Sequence, residues 1–190
     1  MEVSSLTTVC AARVGYKVQP LLWPMFPLLR QRQYTKGHEP TDTLSLLKDA
    51  SNGITAQITY EVRESEGTQG PLETLDRGYG SCRDFAVLFA EAVRTLGFGA
   101  HLVSGYLYDP SDNRVGSAGV GSTHAWVDVF VPGAGWIPFD PTNRSIGSAN
   151  LIAVAVARNI SQVAPITGSF QGGGDTDLCA VDVDVRVENA

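Results

Sequence analysis

The sequence predicts an α+β fold in which one central helix is followed by a run of antiparallel strands. Apolar residues recur at helical spacing between residues 83 and 97, and Gly97 provides a stop signal after them. Segments with strand-like alternation follow, separated by turn residues. A helix succeeded by several strands is typical of an α+β domain. The predicted core stripe of the helix consists of Phe85, Leu88, Phe89, Ala92, Val93 and Leu96.

The region before this helix predicts one further helix and a loop. Thr41 or Asp42 is a suitable N-cap for a helix that runs to about Asn52. Residues 61–77 are polar and contain Gly67 and Gly70, which favours a loop. The apolar face of the first helix is expected to include Leu44, Leu47 and Ile54.

The region after the central helix predicts five strands and one long loop. A polar segment rich in glycine and serine, Asp109–Gly121, is expected to be a loop that borders a cleft. The strands are expected at Ala100–Leu107, His124–Val131, Trp136–Asp140, Leu151–Arg158 and Cys179–Val187.

Length and charge limit the possible classes of protein. The 190 residues suffice for one good-sized domain, which we place at residues 41–190, after an irregular extension over residues 1–40. The formal net charge of −6 argues against a nucleic-acid partner. The charge does not identify a substrate.

The apolar segment over residues 20–29 does not predict a membrane helix. It is about half of the roughly 20 residues that a span needs, and Pro20, Pro24 and Pro27 interrupt it. Glu2, Arg13 and Lys17 do not fit a signal peptide. We therefore expect a cytoplasmic protein that does not associate with membranes.

The three cysteines do not form a metal or disulfide motif. Cys10, Cys82 and Cys179 are odd in number and far apart, and the chain has no CxxC pair. The sequence thus predicts a reducing compartment and neither a metal ion nor a cofactor.

Cys82 is the strongest candidate for a nucleophile. A free cysteine is most often an ordinary buried residue, but this one stands where a glycine-containing loop breaks into a helix. A helix N-terminus carries partial positive charge and free N–H groups, which favour a thiolate and can hold an oxyanion. Asp84, close behind it, is expected to cap or pair locally.

His124 and Asp140 are the candidate base and its orienting acceptor. A hairpin that pairs them directly has its centre at Pro132, and Pro132-Gly133 is in the order that a type II turn prefers. Asp128 is excluded as the acceptor because four residues of strand separate it from His124 by about 13 Å. His38 is expected to be solvated, and His101 has no partner nearby in sequence.

Three stretches carry a resemblance to a known family. GSCRDFAVLFAEAVRTLGFGAHLVSGYL, HAWVDVFVPGAGWIPFDPTN and AVAVARNISQVAPITGSFQG resemble the bacterial transglutaminase-like superfamily. The resemblance covers about residues 41–187 and is most specific over 78–143. It implies a papain-like core in which the central helix carries the cysteine at its N-terminus and packs on an antiparallel sheet.

The resemblance also implies an activity. Carried over by position, Cys82 is the nucleophile, His124 the base and Asp140 the orienter of a catalytic triad. Relatives transfer acyl groups from amides: they cross-link or deamidate glutamine side chains, or hydrolyse peptide bonds. The resemblance therefore implies a protein or peptide substrate. Relatives often carry an N-terminal β domain, which the short extension of this chain does not resemble. The alternative is a catalytically silent protein-binding module on the same fold.

Overall fold

The computed structural model describes residues 42–63, 66–108, 123–165, 167–169 and 171. Three predicted features lie outside these residues: the N-terminal extension over residues 1–40, the loop Asp109–Gly121 and the strand Cys179–Val187. Across the described part of the chain, no helix is both long enough and apolar enough to cross a bilayer.

The first helix, α1, spans Thr43–Gln57. Asp42 caps it, because its Oδ2 accepts a hydrogen bond of 2.8 Å from the amide of Ser45. The predicted end near Asn52 is wrong. Ile54 is fully buried, and its burial outweighs the cost of about 1 kcal/mol of a glycine inside a helix, Gly53.

A second helix, α2, spans Pro71–Arg77, where the sequence predicted a loop. Proline is favourable at the first helical position, and Gly78 ends the helix in the left-handed conformation at φ +71°. Only Thr74 of this helix is buried. The helix therefore lacks the apolar stripe on which the prediction relied, although both of its end signals are present in the sequence.

The central helix, α3, spans Cys82–Thr95 and is the predicted one. The predicted stripe is buried from Phe85 to Val93. Leu96 is the exception, since it lies after the last helical turn and is 37% exposed. The helix packs against two adjacent strands of the main sheet and also against α1, and these interfaces form the core.

Within the described residues, the main sheet has five strands, all antiparallel. Together with the helices it confirms the predicted α+β class. The strand order is β6-β5-β4-β3-β7, and two short strands, β1 and β2, form a separate parallel pair. The strands are β1 Thr59–Tyr60, β2 Tyr79–Gly80, β3 Gly99–Leu107, β4 Thr123–Val131, β5 Gly135–Asp140, β6 Ser145–Ile146 and β7 Leu151–Ala157.

The turn between β4 and β5 contains the predicted Pro132-Gly133 pair. The amide of Ala134 donates to the carbonyl of Val131 at 3.0 Å, and Gly133 has φ +85°, as the third residue of a type II turn requires. The predicted direct pairing of His124 with Asp140 is wrong, because the register pairs Val127 with Phe139. The hairpin thus centres on Gly133, and Asp140 lies diagonally across from His124.

Strand β3 holds a glycine that the packing requires. The register between β3 and β7 shifts at Ser104/Gly105. A Cβ on Gly105 would lie 2.0 Å from the carbonyl oxygen of Ile152 and 2.7 Å from the ring of Trp126. Both strands would have to separate to admit a methyl group.

We expect Gly105→Ala to lower the free energy of unfolding by about 3 kcal/mol, because the new methyl overlaps backbone that has no room to move. Gly99→Ala is the matched control in the same strand, since its Cβ would meet no atom closer than 3.4 Å. Urea denaturation of both variants measures the difference. Equal stability of the two variants would contradict the packing described here.

Candidate active site

Cys82 is the first residue of α3 and is half-buried. Ser81 caps the helix, and Asp84 completes a capping box by accepting hydrogen bonds of 2.8 Å from both the amide and the hydroxyl of Ser81. Asp84 therefore caps locally, as the sequence predicted. The sulfur lies at the positive end of the helix dipole.

The carboxylate of Asp84 also makes contacts that the sequence did not reveal. It is fully buried and accepts a hydrogen bond of 2.7 Å from the amide of Gln69. Arg63 pairs with it at 2.8 and 3.0 Å, one distance to each oxygen. Both partners come from residues 61–77, which the sequence predicted to be a polar loop.

His124 is the second residue of β4 and is almost fully buried. Its Nε2 lies 2.8 Å from Oδ2 of Asp140. Its Nδ1 has no well-formed hydrogen bond to any described residue, which leaves this nitrogen available to the sulfur of Cys82. The ring is flanked by Trp126, two residues along the strand, at a centroid distance of 6.3 Å.

Asp140 is the last residue of β5 and is fully buried. The residues after it hold its carboxylate: the amides of Thr142 and Asn143 donate to Oδ1 at 3.0 and 3.3 Å, and Nδ2 of Asn143 donates to Oδ2 at 2.8 Å. Helix α1 supports the same turn, because the hydroxyl of Thr55 donates to the carbonyl of Pro141 at 2.7 Å. The polar residues that follow the aspartate in DPTN were the available signal for this turn.

Charge interactions couple the three side chains. Burial by itself would lower the pKa of His124, but the hydrogen bond to Asp140 and the neighbouring sulfur of Cys82 outweigh that effect and raise it to about 9. Burial would raise the pKa of Asp140, but His124 and Asn143 hold it below its ordinary value. The arrangement therefore favours a protonated imidazole beside an ionised carboxylate.

Tyr60 is a neighbour of this site that the sequence did not indicate. It pairs with Gly80 across β1 and β2, and its ring meets Phe85 edge-on at a centroid distance of 6.3 Å. Burial raises the pKa of Tyr60, and the nearby Cys82 and Asp140 raise it further. Tyr60 thus lies close to both residues, in a strand too short to leave a periodic pattern in the sequence.

The remaining candidates lie elsewhere or outside the described residues. Asp128 is opposite His101 in the register of β3 and β4, and burial raises the pKa of its carboxyl. The ring of His101 stacks on that of Trp136 at a centroid distance of 3.8 Å. His38, Cys10 and Cys179 lie outside the described residues. Within them, no group of three or more His, Cys, Asp or Glu side chains is placed to hold a metal ion.

Comparison with known families agrees with the fold and with the sequence around these residues. The sequence profile of the Transglutaminase-like superfamily matches residues 30–141. The chain belongs to this superfamily. An uncharacterized protein of Mycobacterium leprae is 32% identical over 150 residues, which are 79% of this chain and 52% of that protein. An uncharacterized protein of Mycobacterium tuberculosis H37Rv is 31% identical over 147 residues, 75% of this chain and 47% of that protein.

The chain thus spans about half the length of the curated relatives it matches. Among solved structures, a candidate cysteine protease from Cytophaga hutchinsonii is similar, with a TM-score of 0.59, 21% identity and coverage of 79% of this chain and 45% of that one. Calcium-bound LapG of Legionella pneumophila has a TM-score of 0.53 and 16% identity, over 83% of this chain and 91% of that one. These likenesses confirm the papain-like transglutaminase fold.

The raised pKa of His124 predicts how stability depends on pH. A histidine that binds its proton more tightly when folded contributes stability that is complete below pH 6.5, its unfolded value, and is lost as pH rises towards about 9. We expect the free energy of unfolding to fall by up to about 3 kcal/mol across this range. Urea denaturation from pH 6 to 9.5 measures this, and His124→Gln should give a much flatter profile. Parallel profiles for the two proteins would contradict the shift.

Proposed function

We propose that this protein is a thiol acyl-transfer enzyme that acts on amide bonds through Cys82, His124 and Asp140. The observation that carries the proposal is the buried hydrogen bond of 2.8 Å between His124 and Asp140, beside the helix start that bears Cys82. A nucleophile next to a base that a third group orients is the arrangement that covalent catalysis needs. Membership of the transglutaminase-like superfamily supports the same reaction class.

In the first half-reaction, the thiolate of Cys82 attacks the carbonyl carbon of the amide. The carbonyl electron pair moves to oxygen, and the amide N–H groups at the very start of α3 are the donors that we expect to stabilise that oxyanion. The intermediate collapses as His124 transfers a proton to the leaving nitrogen. The products of this step are a free amine and a thioester on Cys82.

In the second half-reaction, water or an amine attacks the thioester. Neutral His124 removes a proton from the attacking group, and the thiolate of Cys82 leaves. Water gives hydrolysis, as in a protease or an amidase, and an amine gives a new amide. Both outcomes use the same three residues, so the acceptor distinguishes them.

The electrostatics of His124 suit the first step. With a pKa of about 9, the ring carries a proton at neutral pH and can give it to the leaving amine. Asp140 holds Nε2, which directs Nδ1 towards the reacting atoms. The expected substrate is a protein or peptide, attacked at its backbone amide or at a glutamine side chain.

Mass spectrometry of the intact protein tests the proposal. Incubation with glutamine-containing peptides should add an acyl group to Cys82, and an added primary amine should convert that adduct to an amine-linked peptide. Cys82→Ala is the control and should show neither product. If no peptide or small amide ever acylates Cys82, while the alkylation rate of that residue matches a free thiol, the protein is a binding module on this fold.

Replacement of one carboxylate oxygen of Asp140 by an amide nitrogen is expected to have a large effect on kcat. We expect Asp140→Asn to reduce kcat by roughly 10²- to 10⁴-fold, because an amide can present an N–H to Nε2 and stabilise the wrong tautomer of His124. Asp128→Asn is the matched control from the same sheet and should keep kcat within about threefold. Steady-state kinetics on the best peptide substrate gives both values. A larger loss in Asp128→Asn than in Asp140→Asn would mean that the wrong carboxylate has been assigned.

A further inference from the structure

The start of α3 contains a second buried charge cluster, which the proposed reaction does not use. Its centre is Asp84, whose two oxygens accept from Ser81, Gln69 and Arg63, all at 2.7–3.0 Å. The side chain of Asp84 is fully buried, while that of Arg63 is 19% exposed. The cluster joins three segments: the residue before Cys82, the turn before α2 and the chain after β1.

Local capping does not require this charge. A capping box needs only an acceptor at the third helical position, and a neutral side chain supplies one. Burying an ionised carboxylate is costly unless an opposite charge and several hydrogen bonds satisfy it. Here they do, since Arg63 reaches both oxygens and also donates to the carbonyl of Gly67 at 3.1 Å.

The cluster lies within one helical turn of Cys82. An uncompensated carboxylate at this distance would oppose formation of a thiolate, because like charges disfavour the ionised form. Arg63 supplies the compensating charge. Arg83 brings a second guanidinium next to this cluster, since it donates to the carbonyl of Arg63 at 3.3 Å.

We propose that Arg63 and Asp84 form a positioning pair for Cys82. Asp84 fixes the backbone on either side of the cysteine: its carboxylate accepts from the amide and the hydroxyl of Ser81, and its own amide donates to the side chain of Ser81. Arg63 cancels the negative charge that this fixing introduces. The proposal rests on Cys82 being the nucleophile, and it assigns no contact with substrate to either residue.

Several other charged or ionisable groups lie near the sulfur of Cys82. They are His124 on β4 and Tyr60 on β1, which interact electrostatically with Cys82, Asp140 on β5, which is bonded to His124, and Arg83 beside Cys82 on α3. None of them is changed in the variants below. A change in the midpoint pH of Cys82 alkylation that follows the sign of the substituted charge therefore reports on Arg63 and Asp84.

The test measures how alkylation of Cys82 by iodoacetamide depends on pH. The background protein carries Cys10→Ser and Cys179→Ser, so that Cys82 is the single thiol. Arg63→Gln leaves Asp84 uncompensated and should raise the midpoint pH of the reaction by roughly 0.5 to 1 unit, whereas Asp84→Asn should lower it by a similar amount. The double variant removes both charges and should return the midpoint to within about 0.3 units of the background.

Matched controls separate charge from folding. Glu91→Gln removes a negative charge from the same helix, nine residues or about 13 Å further along, and should leave the midpoint unchanged. Arg63→Lys keeps the cation and should also leave it unchanged. Circular dichroism and thermal melting establish that each variant is folded before it is alkylated.

Shifts of the same sign in Arg63→Gln and Asp84→Asn, or no shift in either folded variant, overturn the proposal. If one of the two single variants does not fold, the other single variant is compared with the double variant. The double variant must then reverse the change in midpoint pH that the folded single variant shows. Failure of the proposed function looks different. In that case the background protein itself alkylates at the rate and with the midpoint of a free thiol, near pH 8.5.

Discussion

The hydrogen bond between His124 and Asp140 joins two side chains that are almost completely removed from water. Neither charge is tolerable there alone, because burial raises the free energy of an isolated ion by several kcal/mol. The rest of the site satisfies this constraint. Two backbone amides and the side chain of Asn143 hold the carboxylate, and the sulfur of Cys82 adds a group that favours the protonated ring.

The fold meets the constraint with rigid elements. The hairpin of β4 and β5 holds His124 and Asp140 in diagonal positions. The histidine side chain is long enough to reach the carboxylate across this diagonal. Helix α3 is anchored in the core by buried residues from Phe85 to Val93, which sets where its first residue, Cys82, lies. Thr55 of α1 then ties the turn after Asp140 to the same core. Precision at the site thus comes from packing well away from it.

The predictable parts of this structure are those with a period or a turn signature. The stripe of α3 and the Pro132-Gly133 turn placed Cys82, His124 and Asp140 on the correct elements, although the register differed from the expected one. Helix α2 was missed because it buries only Thr74. Arg63 and Tyr60 could not be found from sequence, since Tyr60 lies in a strand of two residues and Arg63 in the irregular chain after it, each about 20 residues before Cys82. Long-range partners of this kind depend on how segments meet, which local spacing does not encode.

Asp140 and Asp84 are both buried carboxylates near Cys82, and each is paired with a different kind of partner. Asp140 faces a base that can release its proton, so its partner changes charge during the proposed reaction. Asp84 faces Arg63, which remains protonated at any working pH. A permanent pair suits a group that fixes backbone, because its geometry is then independent of the catalytic cycle. A titrating pair suits a group that must respond to the leaving amine. This division explains why a fully buried carboxylate can stand two residues from a nucleophile that needs to be an anion.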